Sequence, residues 1–263
     1  MLIIDRQNRL KSLLAARGTA TLDALASELQ VSQSTVRRDV ELLEQAGLVE
    51  RTHGGVVWAG ERPTAAVASG RPYAFDQRTE YRADEKVRIA RAAATLVRPG
   101  QTVLVDGGTT TYYLARELVG RPMQLVTNSL PIGNLFVNDD NVELILTGGL
   151  VYPRYGVLLG PHVEAFLGTV HASTLFLSCA GVRDGAVYNQ NLLLVQAEQQ
   201  MMRQVQQVVL LADSTKFGQQ ALAKLCDLSQ VHVVVTDAGI DPEQADAVRA
   251  AGCELVLATD EHR

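Results

Sequence analysis

The chain shows two kinds of hydrophobic pattern, and the change from one to the other falls near residue 84. Before it, apolar residues recur at helical spacing in three short segments, residues 4–16, 21–29 and 33–46. Two β-prone pieces, LVERT and VVWA, follow and flank the tripeptide HGG, which is typical of a hairpin. Three helices and a hairpin in this order predict a small N-terminal domain over residues 1–58.

From Asp84 onward, near-continuous apolar runs of strand type alternate with helical stretches. This alternation predicts an α/β domain over residues 84–263, with a mostly parallel sheet covered by helices on both faces. The predicted strands are 102–106, 123–127, 142–147, 174–178, 207–213, 231–237 and 253–258. The predicted helices start at Asp84 and lie near 110–119, 129–137, 191–205 and 242–251. Residues 59–83 are rich in Gly, Pro, Ala and Arg and lack a clear period, so we interpret them as a linker.

Composition excludes several classes of protein. A hydrophobic content of 47% with 8 prolines indicates a globular chain. No apolar run approaches the roughly 20 residues that span a bilayer, and the N-terminus has no signal-peptide pattern, so we expect a cytoplasmic protein without a membrane partner. The three cysteines (Cys179, Cys226 and Cys253) lack metal-ligand spacing. We expect neither a metal nor another cofactor.

The distribution of charge leaves DNA binding open despite the net charge of −5. Residues 1–58 carry seven Lys and Arg and seven Asp and Glu, so the remainder of the chain carries the entire negative excess. Phosphates respond to local charge, and a neutral segment binds DNA when its cations share one face. The N-terminal domain is therefore compatible with nucleic acid.

The stretch STVRRDVELLEQAGLVERTHGGVV has the order of a winged helix-turn-helix. Ser32 is predicted to cap the third helix, whose first turn offers hydroxyls and two adjacent arginines to the major groove. Those arginines point about 100° apart, so one faces bases and the other a phosphate. The alternative is a three-helix bundle with solvated arginines, but the charged hairpin that follows favours DNA binding. The candidate DNA-binding residues are Ser34, Thr35, Arg37, Arg38, Arg51, His53, Gly54 and Gly55.

A strand runs directly into a Gly-Gly-Thr-Thr turn and a helix in TVLVDGGTTTYYLARELVG. Free N–H groups at this helix start, with the threonine hydroxyls, favour phosphate binding over a plain tight turn. Asp106 either accepts a hydrogen bond from a sugar hydroxyl or caps the turn. Polar loops follow other strands, and the carboxyl ends of parallel strands meet in one crevice. The candidate effector-binding residues are Asp106, Gly107, Gly108, Thr109, Thr110, Asn128, Ser129, Gly148, Gly149 and Lys216.

These motifs resemble the DeoR family of bacterial transcriptional regulators. The N-terminal match comprises Val31, Ser32, Thr35, Val36, Arg37, Arg38, Asp39, Leu43, Glu44, Gly47, Arg51, His53, Gly54 and Gly55. The second half resembles the family's C-terminal sensor domain, with the landmarks EKVRIA, DGGTTTYYLA, VTNS, TGG, ADSTKFG and VTD. The resemblance implies a fold related to ribose-5-phosphate isomerase and CoA transferases. It also implies a phosphorylated sugar effector, with ligand roles for Asp106, Gly108, Thr109, Thr110, Asn128, Ser129, Gly149 and Lys216.

The kinship with enzymes supplies the alternative hypothesis of a sugar-phosphate isomerase or a CoA-transferase-like enzyme. Isomerisation needs a carboxylate base near the central strand, and Cys179-Ala180-Gly181 offers none. Glu198, the one tempting nucleophile, lies at helical spacing within NLLLVQAEQQMMR. We therefore predict a non-enzymatic regulator, a repressor of a carbohydrate-metabolism operon. It binds double-stranded operator DNA as a homo-oligomer, at least a dimer, because operators have two half-sites.

Overall fold

The computed structural model describes residues 6, 9–11, 13–14, 19–45, 49–52, 55–58 and 75–259. The chain divides into two compact units, Met1–Pro72 and Tyr73–Arg263. In the described ranges, no helix is both long enough and apolar enough to cross a membrane.

The first unit combines helices with a three-stranded antiparallel sheet. Its elements are β1 (Thr19–Ala20), α1 (Leu22–Leu29), α2 (Gln33–Gln45), β2 (Val49–Thr52) and β3 (Gly55–Trp58), with helical residues also at 6, 9–11 and 13–14. The sheet order is β1-β3-β2, and β2 pairs with β3 as the predicted hairpin. The pattern does not predict β1, because two residues are too few to show a period. The buried core comprises Leu10, Leu14, Leu25, Ala26, Leu29, Val36, Val40, Leu43, Val49 and Val56.

Side-chain caps determine where both described helices begin. Thr21 Oγ1 accepts a hydrogen bond from the backbone N–H of Ala24 at 3.2 Å. Ser32 Oγ accepts one from the N–H of Thr35, also at 3.2 Å. Each cap satisfies an N–H group that has no partner within its helix. The starts predicted from Thr21 and Ser32 are therefore confirmed.

The second unit is built on a seven-stranded sheet. Its strands are β4 (Thr102–Val105), β5 (Met123–Thr127), β6 (Val142–Leu146), β9 (Ala172–Ser178), β12 (Val205–Leu211), β14 (Val233–Asp237) and β15 (Glu254–Ala258). Their order across the sheet is β15-β14-β12-β9-β4-β5-β6. Every neighbouring pair in this sheet is parallel. All seven predicted strands are present, and the α/β fold class is confirmed.

Successive residues of the central strands enter opposite cores. On β4, Val103 and Val105 pack into one core and Leu104 into the other. On β9, Phe176 joins the core of Val103, whereas Leu177 joins that of Leu104. Because both faces of the sheet are covered, consecutive positions in the middle of these strands, 103–105 and 175–177, are all apolar, which explains the continuous hydrophobic runs.

Helices of the second unit are α3 (Phe75–Glu80), α4 (Ala83–Ala94), α5 (Thr109–Leu118), α6 (Leu130–Phe136), α7 (Pro161–Leu167), α8 (Leu192–Met202) and α9 (Pro242–Ala250). Shorter strands, which the sequence pattern does not predict, form two additions to the main sheet. They are the hairpin β7 (Leu150–Tyr152) and β8 (Val157–Leu159), and the sheet of β10 (Gly181–Arg183), β11 (Ala186–Asn189) and β13 (Ala223–Asp227). Strand β8 follows β7, and β11 follows β10, through a turn rather than a helix. The alternation of strands and helices that predicts the main sheet therefore does not reveal these additions.

The boundary between the units differs from the predicted linker at its C-terminal part. Helix α3 lies within the segment 59–83 that composition assigns to the linker, yet it belongs to the second unit. The buried Lys86 holds it, since its Nζ donates hydrogen bonds to the backbone carbonyls of Arg78 and Tyr81. A six-residue helix depends on such tertiary contacts rather than on its own periodicity, so the sequence pattern does not reveal it.

Candidate functional site

The first turn of α2 presents the predicted DNA-reading residues at the surface. Ser34, Arg37 and Arg38 are exposed, and Thr35 is half-buried. The Oγ of the capping Ser32 lies 2.8 Å from the hydroxyl oxygens of Ser34 and Thr35. Among the described residues, neither arginine side chain is engaged in a salt bridge or hydrogen bond. Both guanidinium groups are thus available to phosphates and base edges.

Asp39, which follows the arginine pair, has a structural role. It is 2% exposed and accepts hydrogen bonds from Arg6, at 2.6 Å from Nε and 3.1 Å from Nη2. The hydrogen bond to Asp39 raises the pKa of Arg6. This two-pronged pair joins the N-terminal helical residues to α2, and so orients the helix that carries Arg37 and Arg38.

The hairpin positions predicted to contact DNA are only partly described. Arg51 lies on β2 and Gly55 begins β3, whereas His53 and Gly54 lie outside the described residues. A Cβ at Gly55 would lie 2.5 Å from the carbonyl oxygen of Ala20. The pairing of β1 with β3 therefore requires glycine here, which is a reason independent of DNA. The DNA contacts of these wing residues stay a prediction.

The carboxylate of Asp106 organises the turn that follows β4. Its Oδ1 accepts hydrogen bonds from the N–H of Gly108 at 3.1 Å and from Thr111 Oγ1 at 2.8 Å. Its Oδ2 accepts two from Ser178, at 3.0 Å from N–H and 3.1 Å from Oγ. Burial raises the pKa of Asp106, and these hydrogen bonds oppose the shift. Of the two roles left open by the sequence, the structure shows the cap of the turn, which also ties β4 to the end of β9.

Close packing explains the glycine pair in this turn. A Cβ at Gly107 would lie 2.0 Å from Val157 Cγ1, and one at Gly108 would lie 1.7 Å from Ser178 Oγ. Both distances are far inside van der Waals contact. The two glycines thus let the turn lie directly against β8 and the end of β9.

We expect Gly107→Ala to destabilise the second unit by about 1–3 kcal/mol, because the new methyl group must displace Val157. Adding Val157→Ala should recover most of this loss, since the remaining Cβ of residue 157 lies 3.4 Å away, an ordinary contact. Urea denaturation of the wild type, both single variants and the double variant, followed by circular dichroism, measures the coupling. Simply additive losses in the double variant would contradict a clash between these two residues.

The first turn of α5 offers unused donors. The helix begins at Thr109 after the N-cap Gly108, and no side chain caps it. Thr109 and Thr110 are buried beside these N–H groups, while the hydroxyl of Thr111 is committed to Asp106. Uncapped N–H groups at a helix start favour an anion, both as donors and through the helix dipole. Phosphate binding at this helix start stays a prediction.

Asn128 and Ser129, at the end of β5, differ in their capacity for a ligand. Asn128 Nδ2 donates a hydrogen bond to the carbonyl of Leu158 at 3.2 Å. Its buried Oδ1 has no hydrogen-bond partner among the described residues. Ser129 Oγ accepts from the N–H of Ile132 at 3.3 Å and so caps α6. Asn128 retains a free acceptor, whereas Ser129 has a structural role.

The glycine pair after β6 adopts left-handed backbone conformations, with φ of +69° at Gly148 and +112° at Gly149. A Cβ at Gly149 would lie 2.5 Å from Val163 Cγ2 on α7, whereas Gly148 has open space around it. Backbone conformation therefore explains both glycines, and packing adds a second reason at Gly149.

Lys216 ends a 3₁₀ turn, Ser214–Lys216, that follows β12, and it is half-buried. Asp213 caps this turn by accepting a hydrogen bond from the N–H of Thr215 at 3.1 Å. The Cys179 thiol lies just after β9. Burial raises its pKa, the charge of Lys216 opposes this shift, and the charge of Asp106 adds to it. Strands β4 and β12 both pair in parallel with β9, so the carboxyl ends of the three strands lie side by side.

Sequence reasoning misses one basic residue of this region, Arg78. It lies on α3, in the segment assigned to the linker, and its guanidinium carbon is 4.7 Å from the centre of the Tyr155 ring. Burial lowers the pKa of Arg78, and the charge of Asp106 acts on it in the opposite direction. The only signal in the sequence is indirect: the motif EKVRIA contains Lys86, whose Nζ binds the carbonyl of Arg78.

Two family models match the chain in the order of its units. The model described as DeoR-like helix-turn-helix domain matches residues 6–62, and the one described as DeoR C terminal sensor domain matches residues 81–238. The chain belongs to the DeoR family of transcriptional regulators. A relative from Escherichia coli (strain K12 / DH10B), the HTH-type transcriptional regulator UlaR, is 30% identical over 253 residues, which cover 96% of this chain and 98% of the relative. The family expected from the sequence motifs is confirmed.

Solved structures resemble this DeoR-family regulator at low identity. Ribose 5-phosphate isomerase A from Methanocaldococcus jannaschii is 17% identical with a TM-score of 0.38, and the match covers 51% of this chain and 54% of that one. eIF2B beta from Chaetomium thermophilum is 12% identical with a TM-score of 0.41, covering 92% and 63%. Likenesses at these TM-scores support no inference about function.

The side chain that an enzymatic interpretation would need is not available for catalysis. Glu198 is 1% exposed, and its two carboxylate oxygens accept hydrogen bonds from Asn189 Nδ2 at 2.7 and 2.9 Å. Burial raises the pKa of Glu198 well above its ordinary value, which favours the neutral acid over a nucleophilic carboxylate. The relative named above is a transcriptional regulator. This DeoR-family chain is a DNA-binding transcriptional regulator rather than an enzyme.

Proposed function

We propose that the second unit binds a phosphorylated sugar at the carboxyl ends of its parallel strands. The observation that carries this proposal is the uncapped start of α5, with Thr109 and Thr110 beside it. The half-buried Lys216, after β12, adds a positive charge at the same edge of the sheet. Backbone N–H groups, hydroxyls and an ammonium group are the donors that bind a phosphate.

The sugar part of the ligand is supported by the free acceptor at Asn128. A buried amide oxygen without a partner costs free energy, and a hydroxyl donor from a ligand would remove that cost. The same amide is anchored through Nδ2, so its oxygen has a defined orientation. A polyhydroxylated ligand supplies such a donor.

Effector binding would act on the affinity of the first unit for operator DNA. We propose a repressor of a carbohydrate-metabolism operon, acting in the cytoplasm as a homo-oligomer of at least two chains, since two half-sites need two recognition helices. The coupling must be reciprocal, so operator DNA changes the affinity for the effector by the same factor as the effector changes the affinity for DNA.

Fluorescence anisotropy of the full chain on its own labelled upstream DNA, at fixed salt, tests this function. We expect one phosphorylated sugar of a panel to change the apparent Kd by about 5-fold or more, and its unphosphorylated counterpart to have no effect. Lys216→Met should weaken this response, whereas Lys224→Met, at an exposed lysine of the same unit, should not. If no compound of the panel shifted selective DNA binding, the sugar-phosphate proposal would be wrong.

A further inference from the structure

Two cationic side chains near α3, those of Lys86 and Arg78, are withdrawn from solvent to different degrees. Lys86 is almost fully buried, whereas Arg78 is half-buried with its Nη1 a buried donor that has no hydrogen-bond partner among the described residues. Burial lowers the pKa of Lys86 to about 8; the charge of Asp213 opposes this shift, and the charges of Lys216 and Arg78 add to it. A buried donor that lacks a partner destabilises a fold, so Nη1 of Arg78 calls for another explanation.

Lys86 and Arg78 differ in how well the protein satisfies them. Lys86 donates to two backbone carbonyls and so has a structural role. For Arg78, the carboxylate that acts on it is Asp106, whose two oxygens already accept four hydrogen bonds. The ring of Tyr155 gives a cation–π contact, but its hydroxyl is bonded to Gln190 at 3.0 Å. The guanidinium group is therefore positioned but lacks an acceptor for Nη1.

Helix α3 packs on α5, the helix whose uncapped N-terminus is the proposed phosphate site. Phe75 contacts Tyr112 edge to face, with ring centroids 5.5 Å apart. The hydroxyl of Tyr113 donates to the carbonyl of Thr79 at 3.3 Å. These contacts join the segment that carries Arg78 to α5, the helix that begins directly after the turn capped by Asp106.

We propose that Arg78 binds the anionic group of the effector, together with the N-terminal amides of α5. The inference rests on the proposed function and assigns the residue that supplies the main positive charge to the ligand. A guanidinium group presents its donors in a planar fork that matches the oxygens of a phosphate. The bound phosphate supplies the missing acceptor for Nη1 and so removes the cost of the unpaired donor.

Thermal unfolding of the full chain with inorganic phosphate as the probe tests this inference. Circular dichroism follows the second unit, and fluorescence of Trp58, the single tryptophan, follows the first. At a phosphate concentration about tenfold above Kd, the wild-type midpoint should rise by about 3–6 °C. Arg78→Met should abolish this rise. Without phosphate, Arg78→Met should unfold at the wild-type midpoint or higher, because a buried donor without a partner has been removed.

Arg116→Met is the matched control, since Arg116 also lies over a tyrosine ring, at 5.5 Å from Tyr113, but is exposed. It should keep the full phosphate response. An equal phosphate response in Arg78→Met and the wild type would overturn the inference. So would a wild-type midpoint that does not rise at any phosphate concentration up to about 50 mM, a range that passes about 50-fold the protein concentration. A lower midpoint of Arg78→Met without phosphate would indicate a structural role and would also overturn it.

The two proposals fail in different experiments. If a sugar phosphate shifts operator binding but phosphate stabilises Arg78→Met as it does the wild type, only the assignment of Arg78 is wrong. If phosphate stabilises the second unit through Arg78 but no sugar phosphate alters operator binding, the anion site stands and the proposed effector is wrong.

Discussion

Asp106→Ala is expected to destabilise the second unit by about 3–5 kcal/mol, because it leaves two backbone N–H groups without their acceptor, the buried one of Gly108 and the partly buried one of Ser178. The hydroxyl of Thr111 already donates to the carbonyls of Asp106 and Gly108. Loss of its bond to the carboxylate therefore costs little free energy. Asp106→Asn should lose roughly half as much, since an amide has a single acceptor oxygen for the two N–H groups.

Urea denaturation followed by circular dichroism measures this loss, and the fluorescence of Trp58 provides an internal reference for the first unit. The matched control is Asp140→Ala, at an exposed aspartate of the same unit, which should stay within about 0.5 kcal/mol of the wild type. A loss at Asp106 no larger than that of the control would show that its hydrogen bonds do not stabilise the turn.

The second large effect is expected on DNA binding, where Arg37→Ala and Arg38→Ala should each weaken operator affinity by about 1–3 kcal/mol, or about 5- to 150-fold in Kd. Both side chains are exposed, so neither substitution should change the stability of the first unit. The substitution at the arginine that reads a base should also reduce discrimination between operator and unrelated DNA. The other should weaken all sites alike and lower the salt dependence by about one released ion.

Anisotropy titrations on operator and scrambled DNA at several salt concentrations separate the two arginines. Arg98→Ala removes an exposed arginine of the second unit and should leave affinity, discrimination and salt dependence unchanged. Equal and uniform losses at Arg37 and Arg38 would mean that neither reads bases. Wild-type affinity in the double variant would contradict the assignment of α2 as the recognition helix.

Most of the architecture follows from local pattern. The seven parallel strands read as continuous apolar runs because both faces of their sheet are buried, and such runs are visible without any tertiary information. The capped starts after Thr21 and Ser32 follow from side chains that bond to N–H groups three residues on. The sequence pattern did not predict the elements that depend on distant contacts, among them β1 and the short helix α3.

The candidate sites divide in a similar way. The sequence placed Arg37 and Arg38 on an exposed helix turn, and the structure agrees. It also placed the Gly-Gly-Thr-Thr turn at a strand end. The same spacing did not distinguish a ligand-binding Asp106 from one that caps the turn, because that depends on Ser178, 72 residues away.

By itself, the sequence determined the two-part organisation, the parallel sheet, the helix-turn-helix and the family, because these depend on periods, caps and motifs within short stretches of chain. Only the tertiary structure decided which polar groups form hydrogen bonds within the protein and which keep a free donor or acceptor. Asp106 and Ser129 are committed to internal hydrogen bonds, whereas Asn128 Oδ1 and Arg78 Nη1 are buried without a partner among the described residues. Burial and hydrogen bonding are properties of residues brought together from distant parts of the chain, and no local pattern encodes them.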